Sequence, residues 1–265
     1  MTATGRLRLA CATPAVTWFS PIKKCGTTLM LEDYLALGPI WYVIFLLSLT
    51  CHEAAHALAA KLGGDLTAFA GGQVTLDPIP HMRREPLGTI VVPILSFLVN
   101  EGRWMMGWAS APYDPLWQMR HPKRAAAMAL AGPLANFALV LIAALAIRVG
   151  ILAGFFEIPS SLNFTRMVGA TGGGVAEVLA TVVSILFCLN LLLMAFNLMP
   201  VPPLDGITVL GLLMSVPLAR RVAEWSRSPL ALAGLIVAWK MFDYVFPPIF
   251  RFSVGLLYPE VRYGW

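Results

Sequence analysis

Long blocks of apolar residues, with most of the charge collected in the short stretches between them, restrict this chain more than any other feature. Several blocks approach the length, about 20 residues, at which an α-helix crosses a bilayer. Of the 265 residues, 58% are hydrophobic and only 12% are charged, against about 25% charged in soluble domains. That balance excludes a soluble enzyme. The net charge of +5 and pI near 9.2 could suggest nucleic acid. The basic residues, however, fall between apolar blocks in pairs such as Lys23-Lys24, Arg83-Arg84, Lys123-Arg124 and Arg220-Arg221. Loop ends facing the cytoplasm and anionic lipid carry charge in this way. The expected partners are therefore a lipid bilayer and no nucleic acid.

The first membrane helix is predicted from about Glu32 to Lys61, stopped by Gly63-Gly64. Asp65 to Pro80 then reads as extended structure with turns, through Thr67, Phe69, Val74, Thr75 and Leu76 around Gly71-Gly72. Pro86 to Asn100 is apolar but too short to span, with Pro93 inside it, and reads as re-entrant or interfacial. Trp104, Trp108, Tyr113 and Trp117 look like a headgroup-level aromatic cluster. A second span covers Arg124 to Arg148, a loop follows from Gly150 to Gly174, and a third span covers Val175 to Leu198. Pro200, Pro202 and Pro203 break that helix, which resumes from Leu204 to about Leu218. Pro229 to Pro247 is the last apolar block, where Lys240 and Asp243 read as a snorkelling pair.

The expected fold is thus an all-α polytopic membrane protein: a bundle of about four to six transmembrane segments, with a re-entrant segment and a small membrane-associated β region. Residues 1–31 read as an N-terminal extension without the apolar core of a signal peptide. Residues 32–249 form the membrane domain and 250–265 a C-terminal tail. Of Cys11, Cys25, Cys51 and Cys188 none forms a CxxC, so neither a disulfide framework nor a cysteine zinc site is indicated. Cys51 points about 100° away from His52 around the helix and reads as packing.

Within the first span lies His52-Glu53-Ala54-Ala55-His56. Translocon scales put a mid-membrane acid at about +2.5 to +3.5 kcal/mol, so these polar groups are costly where they stand. Residues four apart share a helix face, and His52 and His56 can hold one Zn²⁺ together with Glu53 beside them as general base. A catalytic zinc wants a third protein ligand and leaves its fourth position to water. His81 and His121 lie in loops, and Glu177 caps a helix start. Asp205 instead follows the point where a membrane helix is forced to unwind, and such backbone is tolerated only against protein or a watery cavity. Asp205 is the expected third ligand. The crossing count agrees: the two ends meet on one side of the membrane if the Pro86 to Asn100 piece does not cross fully.

The combination of His52-Glu53-Ala-Ala-His56, Ala131-Gly132-Pro133-Leu134-Ala135-Asn136-Phe137 and the Asn197…Pro200…Asp205-Gly206 segment resembles the site-2 protease family of intramembrane zinc metalloproteases, over roughly Glu32 to Met214. The resemblance implies one Zn²⁺ per chain bound by His52, His56 and Asp205, with Glu53 activating water. It implies that Asn197 helps hold substrate or the broken helix, and that Asn136 has a packing and hydrogen-bonding role. The chain is most similar to the compact branch without PDZ or CBS domains. Members of that branch often read His-x-Asp-Pro-x-Gly before the re-entrant piece. Here the segment is His81-Met-Arg-Arg-Glu-Pro86-Leu-Gly88, two residues longer and without the aspartate. Ile207 after Asp205-Gly206 departs from the more usual Gly or Ser.

The implied activity is hydrolysis of peptide bonds in a transmembrane protein substrate, which must be locally unwound. The Asp65 to Pro80 strands would offer an edge for pairing with it. Two other function classes fit the sequence less well. A catalytically idle scaffold or chaperone of the same fold is opposed by the intact Glu53, and a transporter by the absence of inverted repeats. The family arrangement implies a multi-pass protein of a bacterial inner membrane with its active site toward the cytosol. Lys61, Arg83, Arg84, Arg103, Arg120, Lys123 and Arg124 would share that side, and Arg148, Arg166 and the N-terminal extension would face outward.

Overall fold

A computed structural model describes residues 31–228, 231–261 and 263; the expectations for the N-terminal extension, Cys11 and Cys25 included, lie outside them. Among the described residues four helices are long and apolar enough to cross a membrane: Ala36–Leu62, Pro122–Leu152, Val175–Asn197 and Ala233–Leu257. They belong to α1 (Leu31–Leu62), α6 (Pro122–Leu152), α7 (Val175–Asn197) and α10 (Ala231–Leu257). Between α1 and α6 lie α2 (Thr67–Ala70), α3 (Pro78–Arg84), a π-helical turn at Leu87–Val91 leading into α4 (Val92–Val99), and α5 (Pro115–Arg120). Between α7 and α10 lie α8 (Asp205–Val209) and α9 (Val216–Trp225). The chain is an all-α polytopic membrane protein.

α1 ends where the sequence says it should, with Gly64 at φ +94°, a conformation glycine takes without steric cost. The extended reading of Asp65 to Pro80 is overturned, because the turn signals there are helix caps. The Asp65 carboxylate accepts from the Thr67 amide at 2.9 Å and the Thr67 hydroxyl at 2.6 Å, a turn that leads into α2. Asp77 accepts from the Ile79 amide at 2.9 Å with Pro78 in the first turn, starting α3. His81, expected in a loop, is on α3 and buried. The only strand pair among the described residues is β1 (Phe156–Glu157) with β2 (Gly169–Ala170), antiparallel, inside the α6–α7 connection read as plain loop.

Residues 85–114 form a hairpin with one helical and one unwound limb. The apolar helical run Leu87–Val99 is 13 residues long, about 20 Å, and cannot span alone. Gly102 closes a turn onto the Phe97 carbonyl at 2.8 Å. The chain then returns antiparallel to its own helix: Met106 N–H donates to Ser96 Oγ at 3.0 Å, Trp108 N–H to the Gly88 carbonyl at 3.0 Å, and Ser110 Oγ to Glu85 at 2.7 Å. A Cβ on Gly88 would overlap the Trp108 carbonyl, so the limbs meet backbone to backbone. The tip is level with the start of the α1 span, where Phe97 rests on Gly38 and joins Trp41, Phe45 and Met105 in one core cluster. Asp114 N–H, at the other end, bonds Asp65 at 2.8 Å. From Gly38 to Leu62 α1 rises about 36 Å at 1.5 Å per residue, so a limb covering that depth in ten residues or so is close to fully extended, at about 3.3–3.6 Å per residue.

The aromatic cluster is therefore strung along the depth of the protein rather than gathered at one level. Trp104 stacks on Trp239 of α10 at 5.9 Å near the tip, while Trp117 Nε1 donates to the Gly63 carbonyl at 3.0 Å at the opposite end. Arg103, expected beside the basic loop residues, sits at the tip, paired with Glu101 at 2.9 Å. Asp65 fastens the base of the hairpin. Burial works to raise its pKa, but the two hydrogen bonds from Thr67 and the one from Asp114 hold it below the usual carboxylate range.

Because the hairpin returns to its starting side, it adds no net crossing. Arg124 Nη1 also donates to the Gly63 carbonyl, at 3.1 Å, placing the start of α6 beside the end of α1. Lys123 Nζ donates to the Leu212 and Met214 carbonyls, both at 2.7 Å, bringing the segment after α7 to the same end. The resumed half-helix is shorter than expected: α8 tightens to a 3-10 turn at Leu210–Leu212, and Pro217 in the first turn of α9 starts a separate amphipathic helix. α10 runs ten residues past Pro247 to Leu257, crossing residue 249, and Phe250, Val254 and Leu257 are core residues with Phe242 and Phe246. Lys240 and Asp243 are exposed, and no ion pair joins them among the described residues. In lipid the driving force for such packing is dispersion and close fit rather than exclusion of water.

Candidate metal centre

His52 and His56 lie one turn apart on α1, and the broken segment after α7 carries Asp205 to them. Their Nε2 atoms are 3.0 Å apart, and Asp205 Oδ2 lies 3.2 Å from His52 Nε2 and 3.3 Å from His56 Nε2. Among the described residues this is the one group of three metal-ligating side chains within mutual reach. His81 and His121 are not part of it. Glu53 follows His52 directly and is buried, with 5% of its surface exposed. Asn136 is buried against His52, its Oδ1 2.6 Å from His52 Nδ1.

Asp205 opens α8 directly after extended Leu204. Gly206 is required beside it, because a Cβ there would overlap the carbonyls of Leu198 and Met199 at the end of α7. On the other side α10 leans on the unwound segment, and a Cβ on Gly234 would overlap the Pro202 carbonyl.

The donor chemistry fits a cation. His56 Nδ1 lies 2.8 Å from the Met128 carbonyl, which only accepts, so Nδ1 carries the proton. His52 Nδ1 faces an amide oxygen and is likewise protonated. In its neutral form each ring then turns an Nε2 lone pair toward a carboxylate oxygen. Three acceptors packed at 3.0–3.3 Å repel one another unless positive charge lies among them. Ligands of a tetrahedral zinc with bonds of about 2.0–2.1 Å are about 3.3 Å apart, close to these separations.

Gly132 lets α6 come this near. A Cβ on it would overlap His56 Nε2 and stand 2.6 Å from His52 Nε2. The sequence marked Gly132 only as part of a motif, and a glycine inside a long helix facing two histidines was its signal. Asn190 and Ser48 were missed. Both are fully buried and hydrogen-bonded to each other, Asn190 Nδ2 to Ser48 Oγ at 2.9 Å, with Asn136 Nδ2 donating to Asn190 Oδ1 at 2.8 Å. Asn190 could have been found as a polar residue in an otherwise apolar span, and Ser48 as the residue one turn before His52. Asn197, near the end of α7, donates to the Leu193 carbonyl at 3.0 Å; no hydrogen bond ties it to the three ligating side chains.

Comparison with known proteins gives the same reading. Residues 40–237 match the sequence profile of Peptidase family M50. The Bacillus subtilis protein named "Putative zinc metalloprotease YwhC" is 33% identical over 178 residues, which cover 66% of this chain and 69% of that protein. "Putative zinc metalloprotease Rip2" of Mycobacterium tuberculosis is 29% identical over 206 residues, 78% of this chain and 67% of that protein. No solved structure matches the chain. With most of its length matched, from α1 into α10, the chain belongs to peptidase family M50, the site-2 protease family.

Proposed function

We propose that this chain is an intramembrane zinc metalloendopeptidase in which His52, His56 and Asp205 hold one Zn²⁺ and Glu53 is the general base. The observation that carries the reading is the set of three ligand atoms within 3.3 Å of one another, with a buried glutamate next in sequence to the first. Zinc, when bound, lowers the pKa of water toward about 7 and polarises the scissile carbonyl. Glu53 accepts the proton of the attacking water and delivers it to the leaving amine. Asn136 holds the His52 ring in place, and Asn197 supports the end of α7 from which the unwound segment departs.

The substrate is a transmembrane segment of another protein, unwound where it is cut. The edge expected at Asp65 to Pro80 does not exist, and the return limb of the hairpin takes its place. No carbonyl among the described residues accepts from the N–H groups of Gly107, Ala109 or Ala111, which leaves the limb free to pair with an extended chain. Lys61, Arg120, Lys123 and Arg124 gather at the metal end of the bundle, consistent with a cytosolic active site in a bacterial inner membrane.

The test is purified protein in liposomes with a single-span substrate. Glu53→Gln should bind zinc as wild type does and lose at least about a hundredfold in cleavage rate. In cells, intact membrane stubs should accumulate in that variant. Cleavage by Glu53→Gln at the wild-type rate would exclude the mechanism.

A further inference from the structure

We propose that Asn190 and Ser48 are positioning residues for the metal centre, acting through Asn136 to decide which nitrogen of His52 is offered to the metal. The proposal rests on His52 being a ligand. Its observation is a buried chain of hydrogen bonds whose direction has one solution. Ser48, Asn136 and Asn190 come from α1, α6 and α7 and are each wholly buried, out of reach of bulk water.

The direction is set at the ends most distant from the metal. Ser48 Oγ lies 2.7 Å from the Ile44 carbonyl, and a carbonyl only accepts, so the hydroxyl proton goes there. Toward Asn190 the same oxygen presents a lone pair. The Asn190 amide group closest to it, at 2.9 Å, lies also 2.8 Å from the Leu186 carbonyl. Two acceptors require the NH₂ group in that place and turn Oδ1 toward Asn136. The Asn136 amide then has its own NH₂ fixed, 2.8 Å from Asn190 Oδ1 and 3.4 Å from the Ser48 carbonyl. Its oxygen is left facing His52 Nδ1 at 2.6 Å. The neutral imidazole therefore carries its proton on Nδ1 and keeps the Nε2 lone pair free for the metal.

An asparagine alone would not do this, since its two ends differ by little in shape and a flipped amide presents NH₂ to the ring. The flipped state favours a proton on Nε2, where the metal should be. His56 needs no such relay, because it rests on the Met128 carbonyl directly.

The experiment measures zinc affinity of the purified full-length protein in detergent by chelator competition. Asn190→Leu removes the acceptor that orients Asn136 and should weaken zinc binding about 10- to 100-fold, the usual range for groups that orient a ligand. Asn136→Asp presents an oxygen to His52 in either orientation, so it makes Asn190 unnecessary. The double variant Asn136→Asp/Asn190→Leu should therefore bind zinc within about threefold of Asn136→Asp. A packing role for Asn190 predicts no such rescue. Wild-type affinity in Asn190→Leu, or a double variant as weak as Asn190→Leu, overturns the proposal. If Asn190→Leu does not fold, Ser48→Ala with and without Asn136→Asp is read in the same way: a loss in the first that the second removes, or its overthrow. His52→Ala separates the two readings, because undiminished zinc binding there would refute the metal centre itself and not just the relay.

Discussion

At the scale of single residues, the centre depends as much on what Gly132 lacks as on what the histidines supply. Gly132→Ala adds one methyl group where His56 Nε2 and His52 Nε2 already stand, and α6 backbone, unlike a flexible side chain, has little room to retreat. The expected outcome is a protein that still folds, since its helices and most of its core are untouched, but binds zinc at least about tenfold more weakly. Metal analysis after dialysis against a chelator, alongside a thermal melt, checks both parts. The three proposed ligands were legible in the sequence as a group because they are expensive: two histidines at helical spacing and an aspartate after a run of prolines have no cheap explanation inside a membrane. Asn190 and Ser48 were less visible. A serine in a helix often returns its hydroxyl to its own backbone, as Ser48 does to Ile44, and nothing in one dimension shows that α7 brings an asparagine to the same oxygen.

At the scale of elements, apolar length and glycine or proline punctuation were enough to read the four spanning helices to within a few residues at most of their ends. The exception was α10, which continues through Pro247 and Pro248, because proline weakens a helix without ending it when neighbours pack around it. Asp65 to Pro80 failed for a different reason. The same Asp-x-Thr and Asp-Pro signals serve turns and helix starts equally, and the alternation of apolar residues was too short to decide. The element that sequence could not supply was the extended return limb, whose residues have no period of their own and are shaped by the helix beside them. Its function is open to test. Ala109→Pro removes one of the free N–H groups while suiting an extended backbone, so it should cut the rate of substrate cleavage several-fold and leave zinc content unchanged. Equal cleavage would show that the limb does not pair with substrate.

At the scale of the whole molecule, the hairpin makes the number of crossings even, and this orders everything else. The end of α1, the start of α6 and the end of α7 share a face because residues 85–114 go in and come back. Arg148 at the far end of α6 accordingly meets the Leu257 carbonyl at the end of α10, at 3.2 Å. Single cysteines in a background without the native ones test this with a maleimide that does not cross membranes. In intact cells Glu260→Cys should be labelled and Arg120→Cys should not, the latter reacting only after the membrane is opened. Labelling of Arg120→Cys in intact cells would refute the orientation.

The same hairpin has a consequence for the end of the bundle opposite the metal centre. Its tip reaches the level of Gly38, so Glu101 and Arg103 stand near the end of the bundle opposite the one at which the segment begins and ends. Glu101→Cys should therefore react alongside Glu260→Cys rather than Arg120→Cys. The protein would then expose, on the far side from its proposed metal centre, a small handle continuous with the limb proposed to pair with substrate. Under the proposed orientation, a ligand that grips that handle would act on this limb without entering the membrane.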